Sequence, residues 1–378
     1  MISPKESLVE QLIRFHADRQ RAGLRRKYAR MSDGPFEFFR GTDFLFARGW
    51  PQLRPREPGP AIFVCGDLHL ENFGAFPTDA GDYHFDINDF DEAAVAPCSI
   101  DLVRCSTSIL LASETWRLTP TQGTGMVLSF LDSYRETALA DAQAADPAEL
   151  DLGSAAVLLD ATRRGSRKGL LKRYVKNSGG RWRFRFKARG LRRVGDKTRA
   201  LVCAAVQEYG QARGWRVVDV ARRFSGIGSL GLRRYPLLIQ EKNAPEPLLL
   251  DMKQAAESVL MPFADAAQPA YANEAERMVM AQRQLQGKPT AGLGWFCCGG
   301  LAYRVRSMIP DENRSSLDRL QKSPARLRDA VAAAGRVTAR AHWRGSHIGK
   351  ECRAEALRDW ASSPALESVL AAAVRFAD

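Results

Sequence analysis

The sequence predicts an α+β protein built as two lobes. Helical periodicity dominates residues 1–214 and returns over residues 309–378. Strand-like runs separated by glycine and proline turns crowd residues 215–308. Between two short apolar runs, Val64–Ala93 packs Asp67, His69, Glu71, Asn72, Asp86, Asn88, Asp89, Asp91 and Glu92 into one stretch. The plan is therefore a helical lobe (1–214) carrying that stretch, a β-rich lobe (215–308), and C-terminal helices (309–378) that pack back on the first lobe.

In chain order, Ser7–Met31 predicts a basic amphipathic helix with Leu8, Leu12, Ile13 and Phe15 on one face, and Phe36–Arg48 a short aromatic one. Proline and glycine make Pro51–Pro60 a loop, and Ala61–Cys65 is a short buried strand feeding Gly66-Asp67. Ile100–Trp116 and Gln122–Ala145 have helical patterns, Ala142–Glu149 reads as a linker, and Leu150–Asn177 is a further helical region. Arg181–Lys187 alternates basic and aromatic residues with the period of a strand, and Asp196–Arg213 returns to helix. Strands are expected at Trp215–Phe224, Gly231–Gln240, Pro247–Lys253, Gly294–Cys298 and Leu301–Met308, with a helix at Asn273–Gln286. Helices at Arg314–Leu320, Ala325–Arg344 and Ala354–Phe376 close the chain.

At 378 residues, with 45% hydrophobic and 26% charged residues, the chain has the composition of a soluble globular protein with a sizeable core. No apolar run reaches the length of a membrane span, and no apolar signal segment opens the chain, so a cytoplasmic protein with no membrane partner is expected. Seven cysteines without metal-ligand spacing agree with reduced thiols. The net charge of +13 is concentrated: Arg163–Arg199 holds 16 Lys/Arg and a single acid, Asp196. That segment suits nucleic acid, an acidic substrate or an acidic partner, or it is simply a solvated face.

The chemistry sits in the carboxylate stretch. Asp67 precedes Asn72 by five residues in a tight loop, and a second acidic strand end containing Asp86, Asn88, Asp89 and Asp91 follows. Phosphoryl transfer needs a carboxylate at the acceptor hydroxyl and nearby oxygens on Mg²⁺, which these spacings can supply. Gly226-Ile227-Gly228-Ser229-Leu230-Gly231 is a GxGxxG run followed by a strand pattern rather than a helix, as in a hairpin that covers phosphates.

These motifs resemble the catalytic core of the kinase-like phosphotransferases, particularly the aminoglycoside and choline kinase branch. That branch carries a G-D-x-H-x-x-N loop and an I-D-[FW]-x-x-A metal motif. The resemblance makes Asp67 the catalytic aspartate, Asn72 the loop asparagine and magnesium ligand, and Asp89 the magnesium aspartate, with Asp86 beside it. Asp101 would brace the catalytic loop from the start of a helix. Gly226, Gly228, Ser229 and Gly231 would cover the triphosphate of ATP, and Lys253 would grip it, oriented by Glu276, Glu274 or Glu257. His69 reads as a histidine that hydrogen-bonds the loop backbone, and His342 as a weaker site candidate. The implied fold is a two-lobed protein-kinase-like fold, circularly permuted, because the glycine loop and lysine follow the catalytic loop. Permutation implies that Ala325–Arg344 packs beside the segment entering Asp67, with the ATP cleft between 215–308 and the rest. The whole chain also resembles a bacterial family catalogued only as a domain of unknown function, through FFRG, GDLHLENFG, DINDFDEA, GIGSLG, LGW and ARAHWR.

The expected function is an ATP- and Mg²⁺-dependent phosphotransferase acting on a small-molecule or protein acceptor that bears a hydroxyl. The alternatives are nucleotidyl transfer on the same scaffold, and a catalytically silent kinase-like protein that binds nucleic acid or an acidic partner through 163–199. A metallophosphoesterase fits less well, because five histidines without a GNH element do not suit a two-metal site.

Overall fold

The computed structural model describes residues 6–140, 151–157, 159–160, 167–186, 190–308, 320 and 323–378. Helices α1 (Leu8–Phe15), α2 (Arg21–Met31), α3 (Pro35–Gly41) and α4 (Asp43–Leu53) come first. The single helices expected over 7–31 and 36–48 are each two, because a turn intervenes at 16–20 and Thr42 breaks the second. Ser7 and Glu10 close a capping box on α1, which satisfies amide groups that the first turn leaves without partners.

Next, β1 (Ala61–Val64) pairs antiparallel with β4 (Ala94–Pro97), and between them β2 (Phe73–Pro77) and β3 (Tyr83–Ile87) form a hairpin. The carboxylate stretch thus becomes strand, loop, hairpin, loop and strand. Helix α5 (Ser99–Thr115) follows and is buried on nearly every face, so it serves as the axis of the largest apolar core. Against it pack α6 (Pro120–Leu139) and α12 (Ala365–Ala377), while α10 (Pro324–Gly345) and α11 (Ala354–Ser362) pack on α6. At Gly335 of α10 an added Cβ would lie 2.2 Å from the Phe130 carbonyl, so glycine permits the close crossing with α6.

The second architectural unit is a five-stranded antiparallel sheet in the order β12-β13-β11-β10-β8 (Gly294–Cys298, Leu301–Ser307, Leu248–Gln254, Arg234–Gln240, Arg216–Val220). Helix α9 (Glu274–Leu285) lies in sequence between β11 and β12 and contacts both the sheet and α10. Its Ala281 and Leu285 join the large helical core, so this helix ties the two units together.

The break expected at residue 214 falls elsewhere. Helix α7 (Arg167–Tyr174), the hairpin β5–β6 (Val175–Ser178, Arg181–Phe184) and helix α8 (Asp196–Tyr209) all belong with the sheet. Leu171, Tyr174, Val175 and Phe184 form one buried cluster with Leu238 and Leu249, and Val202 and Val206 join another with Val220 and Val305. The apolar face of α8 needed a cover, and the sheet supplies it. The C-terminal helices pack on the helical core. The expected linker at 142–149 lies outside the described residues, as does nearly all of the helix expected at 314–320. Among the described residues no helix is long and apolar enough to cross a membrane.

Candidate functional site

Strand β1 delivers the chain to Gly66, where φ is +85° and an added Cβ would sit 2.2 Å from the Glu92 carbonyl oxygen. Only glycine fits that turn. Asp101, in the first turn of α5, accepts the Cys65 N–H at 2.7 Å and the Gly66 N–H at 2.8 Å. Its carboxylate also lies 3.2 Å from Nε2 of the buried His342, whose Nδ1 is 2.9 Å from the Tyr134 hydroxyl. The sequence suggested a bracing role for Asp101, and the geometry has it. His342 acts behind the loop, not in the cavity, and α10 stands beside β1.

Asp67 follows. Arg104 approaches Oδ1 with both Nε and Nη2 at 2.6 Å, and its own guanidinium is fully buried over the Phe39 ring at 3.9 Å. Withdrawal from water raises the Asp67 carboxyl to about 7; Arg104 opposes the rise, and the neighbouring charges of Asp43 and Asp89 add to it. Asn72 donates its side-chain N–H to the Asp67 backbone carbonyl, which ties the two ends of the loop together. His69 accepts the Glu71 N–H at 3.1 Å, the local backbone role read from the sequence. Glu71 in turn pairs with the buried Arg40 at 2.7 Å.

The strand lysine and the metal stretch meet. Lys253, at the end of β11, is 2% exposed and hydrogen-bonds Asp91, with Asp89 3.7 Å away. None of the glutamates considered from sequence fills that place. Glu274 pairs with Arg277 at 2.6 Å, and Glu276 accepts the Ala272 N–H at 2.5 Å from an exposed position at the helix start. Burial, with the Asp89 charge next to it, raises the Asp91 carboxyl even with Lys253 present. Asp86 faces away from the cavity. It lies 3.3 Å from Arg344 and accepts the Gly287 N–H at 3.0 Å. Burial would raise its carboxyl, but His84 and Arg344 outweigh that and hold it below the usual range.

The glycine run forms a loop between β9 (Arg222–Arg223) and β10, and α2 holds it by its carbonyls. Lys27, wholly buried, donates to the Ile227 and Gly228 carbonyls at 3.2 Å each. Arg19 donates to Gly228 and, at 3.2 Å, to Leu230, while the Gln20 N–H reaches the Gly231 carbonyl at 3.0 Å. Gly226 and Gly231 adopt φ of +79° and +100°. Gly231 packs directly on Gly23 of α2.

A cavity of about 980 Å³ joins these parts. Asp67, Asn72, Asp89, Asp91 and Glu92 line it together with Gly226, Gly228 and Ser229; Gly231 and Lys253 stand behind this lining. The opposite wall comes from α1, the turn after it, α3 and α4, with Arg14, Arg19, Arg40, Asp43 and Arg48 beside the stacked rings of Phe15 and Phe44. A much smaller chamber on the other side of Asn72 and Asp89 is lined by Asn88, Arg234, Asp251 and Arg306. Sequence reasoning missed this N-terminal wall, along with Arg104 and Lys27 as site residues, whereas Asp91 was among the oxygens it offered for the metal. The available signal was the stretch Phe38–Phe44, FFRGTDF, which sets two charges inside an aromatic run that has to be buried.

Among the described residues no group of three or more His, Cys, Asp or Glu is arranged as a ready metal cage. Mg²⁺ seldom uses one; it binds through one or two carboxylates and takes its remaining ligands from phosphates and water. Asp91 Oδ1 is buried with no hydrogen-bond partner among the described residues, a donor set that fits such an ion next to Asp89.

A family model described as "Uncharacterized protein conserved in bacteria (DUF2252)" matches residues 19–378. The chain belongs to the DUF2252 family. No curated protein and no solved structure matches it. The family description names no activity, so a functional reading of this DUF2252 member rests on its own residues. The match begins at residue 19, within the turn before α2, and so takes in the carboxylate stretch, the glycine loop and Lys253.

Proposed function

We propose that this protein is a Mg²⁺- and ATP-dependent phosphotransferase with a circularly permuted, kinase-like architecture and a hydroxyl-bearing acceptor. One observation carries the reading: Asp67, Asp89, the glycine loop and Lys253 lie more than 150 residues apart in sequence at the extremes, yet they converge around one cavity. The five-stranded antiparallel sheet adds support. A glycine loop joins its first two strands, its third strand ends in the lysine, and a helix precedes the last two.

In this reading Asp67 takes the proton of the acceptor hydroxyl. Its raised pKa suits a base that works near neutrality, and Arg104 fixes its orientation. Asn72 and Asp89, with Asp91 next to them, hold the metal. When bound, Mg²⁺ neutralises charge on the transferring phosphate. Lys253 holds the two aspartates from behind the lining, and the glycine loop shields the phosphates from water.

The test is thermal stabilisation by Mg-ATP in wild type, Asp67→Ala and Asp89→Ala. Wild type should gain about 2.7 kcal/mol at a hundredfold excess over the dissociation constant. Asp89→Ala should lose the gain, and Asp67→Ala should keep most of it. No shift with ATP or GTP in the presence of magnesium would sink the reading. Transfer of label from the α- rather than the γ-phosphate would replace phosphoryl with nucleotidyl transfer.

A further inference from the structure

We propose that the small chamber behind Asn72 and Asp89 is a buried halide site, built for one chloride ion between the five-stranded sheet and the carboxylate loop. The strand register sets Arg234 opposite Lys253 and Lys253 opposite Arg304, so three cations stand in a row across β10, β11 and β13. Like charges placed directly across strands repel. On the same face, two residues along, Arg306 stands opposite Asp251. All four cations are buried, Arg234 the most open at 7%. Asp251 is committed to Arg234 through both oxygens, at 2.7 and 2.8 Å, and Asp91 to Lys253. Arg304 and Arg306 have no ion pair among the described residues. Four cations thus face Asp89, Asp91 and Asp251, and burial already raises the Asp91 carboxyl toward its neutral form. Glu71 on the chamber wall adds nothing to the balance, because it is paired with Arg40.

Charge alone would fit any anion; the size of the chamber and its donors choose among them. Its volume is about 10 Å³, room for a single water-sized sphere, so a phosphate or another oxyanion is too large. Arg306 and Asn88 line it with donors that are not in use. Arg306 Nη1 is buried with no hydrogen-bond partner among the described residues, and so is the Asn88 side-chain amide. Burial, with the Arg304 charge beside it, pushes the Arg306 guanidinium well below its usual range, against the pull of Asp89 and Asp251. A water molecule would take these hydrogen bonds but leave an interior guanidinium without a counter-ion, which is costly. A halide takes the same donors and supplies the missing charge. Asn72 and Asp89 line this chamber and the large cavity alike, so the ion holds the metal end of the site from behind. It needs neither nucleotide nor magnesium, and so stands apart from the proposed activity.

The experiment is thermal unfolding of the full chain, without nucleotide or magnesium, in sodium chloride against sodium gluconate at equal ionic strength. The melting temperature should be higher in chloride and should climb with the logarithm of its concentration once that exceeds the dissociation constant. Bromide should replace chloride. Arg306→Met keeps an apolar stem and should abolish the difference between the two salts. Asn88→Leu removes one hydrogen bond to a charged group, so about tenfold more chloride should be needed for the same rise. Crystals of wild type soaked in bromide give a readout that needs no variant: an anomalous peak in the chamber, beside Arg306 and Asn88. Three results would overturn the proposal: equal melting temperatures in chloride and gluconate, a chloride effect that Arg306→Met retains, or bromide confined to the surface with water only in the chamber.

Discussion

His342 and Asp101 meet at 3.2 Å in the interior, where a C-terminal helix and the helix after the carboxylate stretch together support the backbone of Gly66. Asp101 is wholly buried and takes two backbone N–H groups as well as the imidazole, so both of its oxygens are in use. Asp101→Asn would leave one oxygen and turn an NH₂ group toward groups that only donate. Each buried group left without a partner costs about 1–3 kcal/mol, so the unfolding free energy from urea titration should fall by at least that much. An unchanged midpoint would show that the loop holds its shape without this brace.

Lys253 stands between two aspartates instead of facing a glutamate, and this changes what its removal should do. Lys253→Met keeps the buried stem and deletes the charge, leaving Asp91 and Asp89 to repel each other. The cost should be about 2 kcal/mol, below that of a fully buried broken pair because both aspartates keep some contact with water. Without the cation the Asp91 carboxyl, already raised, moves up further. A group whose folded pKa lies above its unfolded value binds more protons in the native state, so its contribution to stability grows as pH falls. The deficit of the variant relative to wild type should therefore shrink between about pH 8 and about pH 5. A deficit that stays constant over that range would mean that Lys253 acts by packing alone.

These two relationships mark where the sequence was readable. Asp67, Asn72 and Asp101 stood out because loop chemistry demands those side chains at short, local spacings. The sheet was readable because aliphatic runs such as Leu248–Leu250 lie between glycine and proline turns. The partner of Lys253 was not readable. Distance along the chain favoured the helix bearing Glu274 and Glu276, but Asn273 caps that helix and both glutamates serve its own first turn. The aspartate that does meet the lysine lies 162 residues away. The hold on the glycine loop was equally hidden, since Arg19 and Lys27 bind backbone carbonyls, and carbonyls leave no trace in residue identity. The break placed at 214 could have been avoided, because the apolar face of α8 at Val202 and Val206 already called for a cover.

Gly23 tests the contact between α2 and the glycine loop. As a residue inside a helix it should be improved by alanine, which is favoured by about 1 kcal/mol. The structure predicts the opposite sign. A Cβ at this position would lie 2.4 Å from the Gly231 backbone nitrogen, and backbone cannot swing aside as a long side chain can. Overpacking of this kind costs about 1–3 kcal/mol, so Gly23→Ala should lower stability and, by displacing the loop, weaken Mg-ATP stabilisation as well. A more stable variant with nucleotide response intact would separate α2 from the loop.

Lys27 makes the sharpest pH prediction. Burial lowers its ammonium to about 7, and Arg19 pushes in the same direction against the attraction of Asp43, Asp67 and Glu92. Its ordinary value is 10.5, so between the two the folded protein holds fewer protons on Lys27 than the unfolded chain does. Stability from this residue must then rise with pH across that window, by on the order of 4 kcal/mol if nothing else titrates. Lys27→Met removes the titration while keeping a similar stem. The unfolding free energy of wild type, measured between about pH 7 and about pH 10, should climb relative to the variant. Parallel profiles would mean that Lys27 keeps its proton throughout, with the Ile227 and Gly228 carbonyls and the three acids sufficient to hold a buried ammonium under the glycine loop.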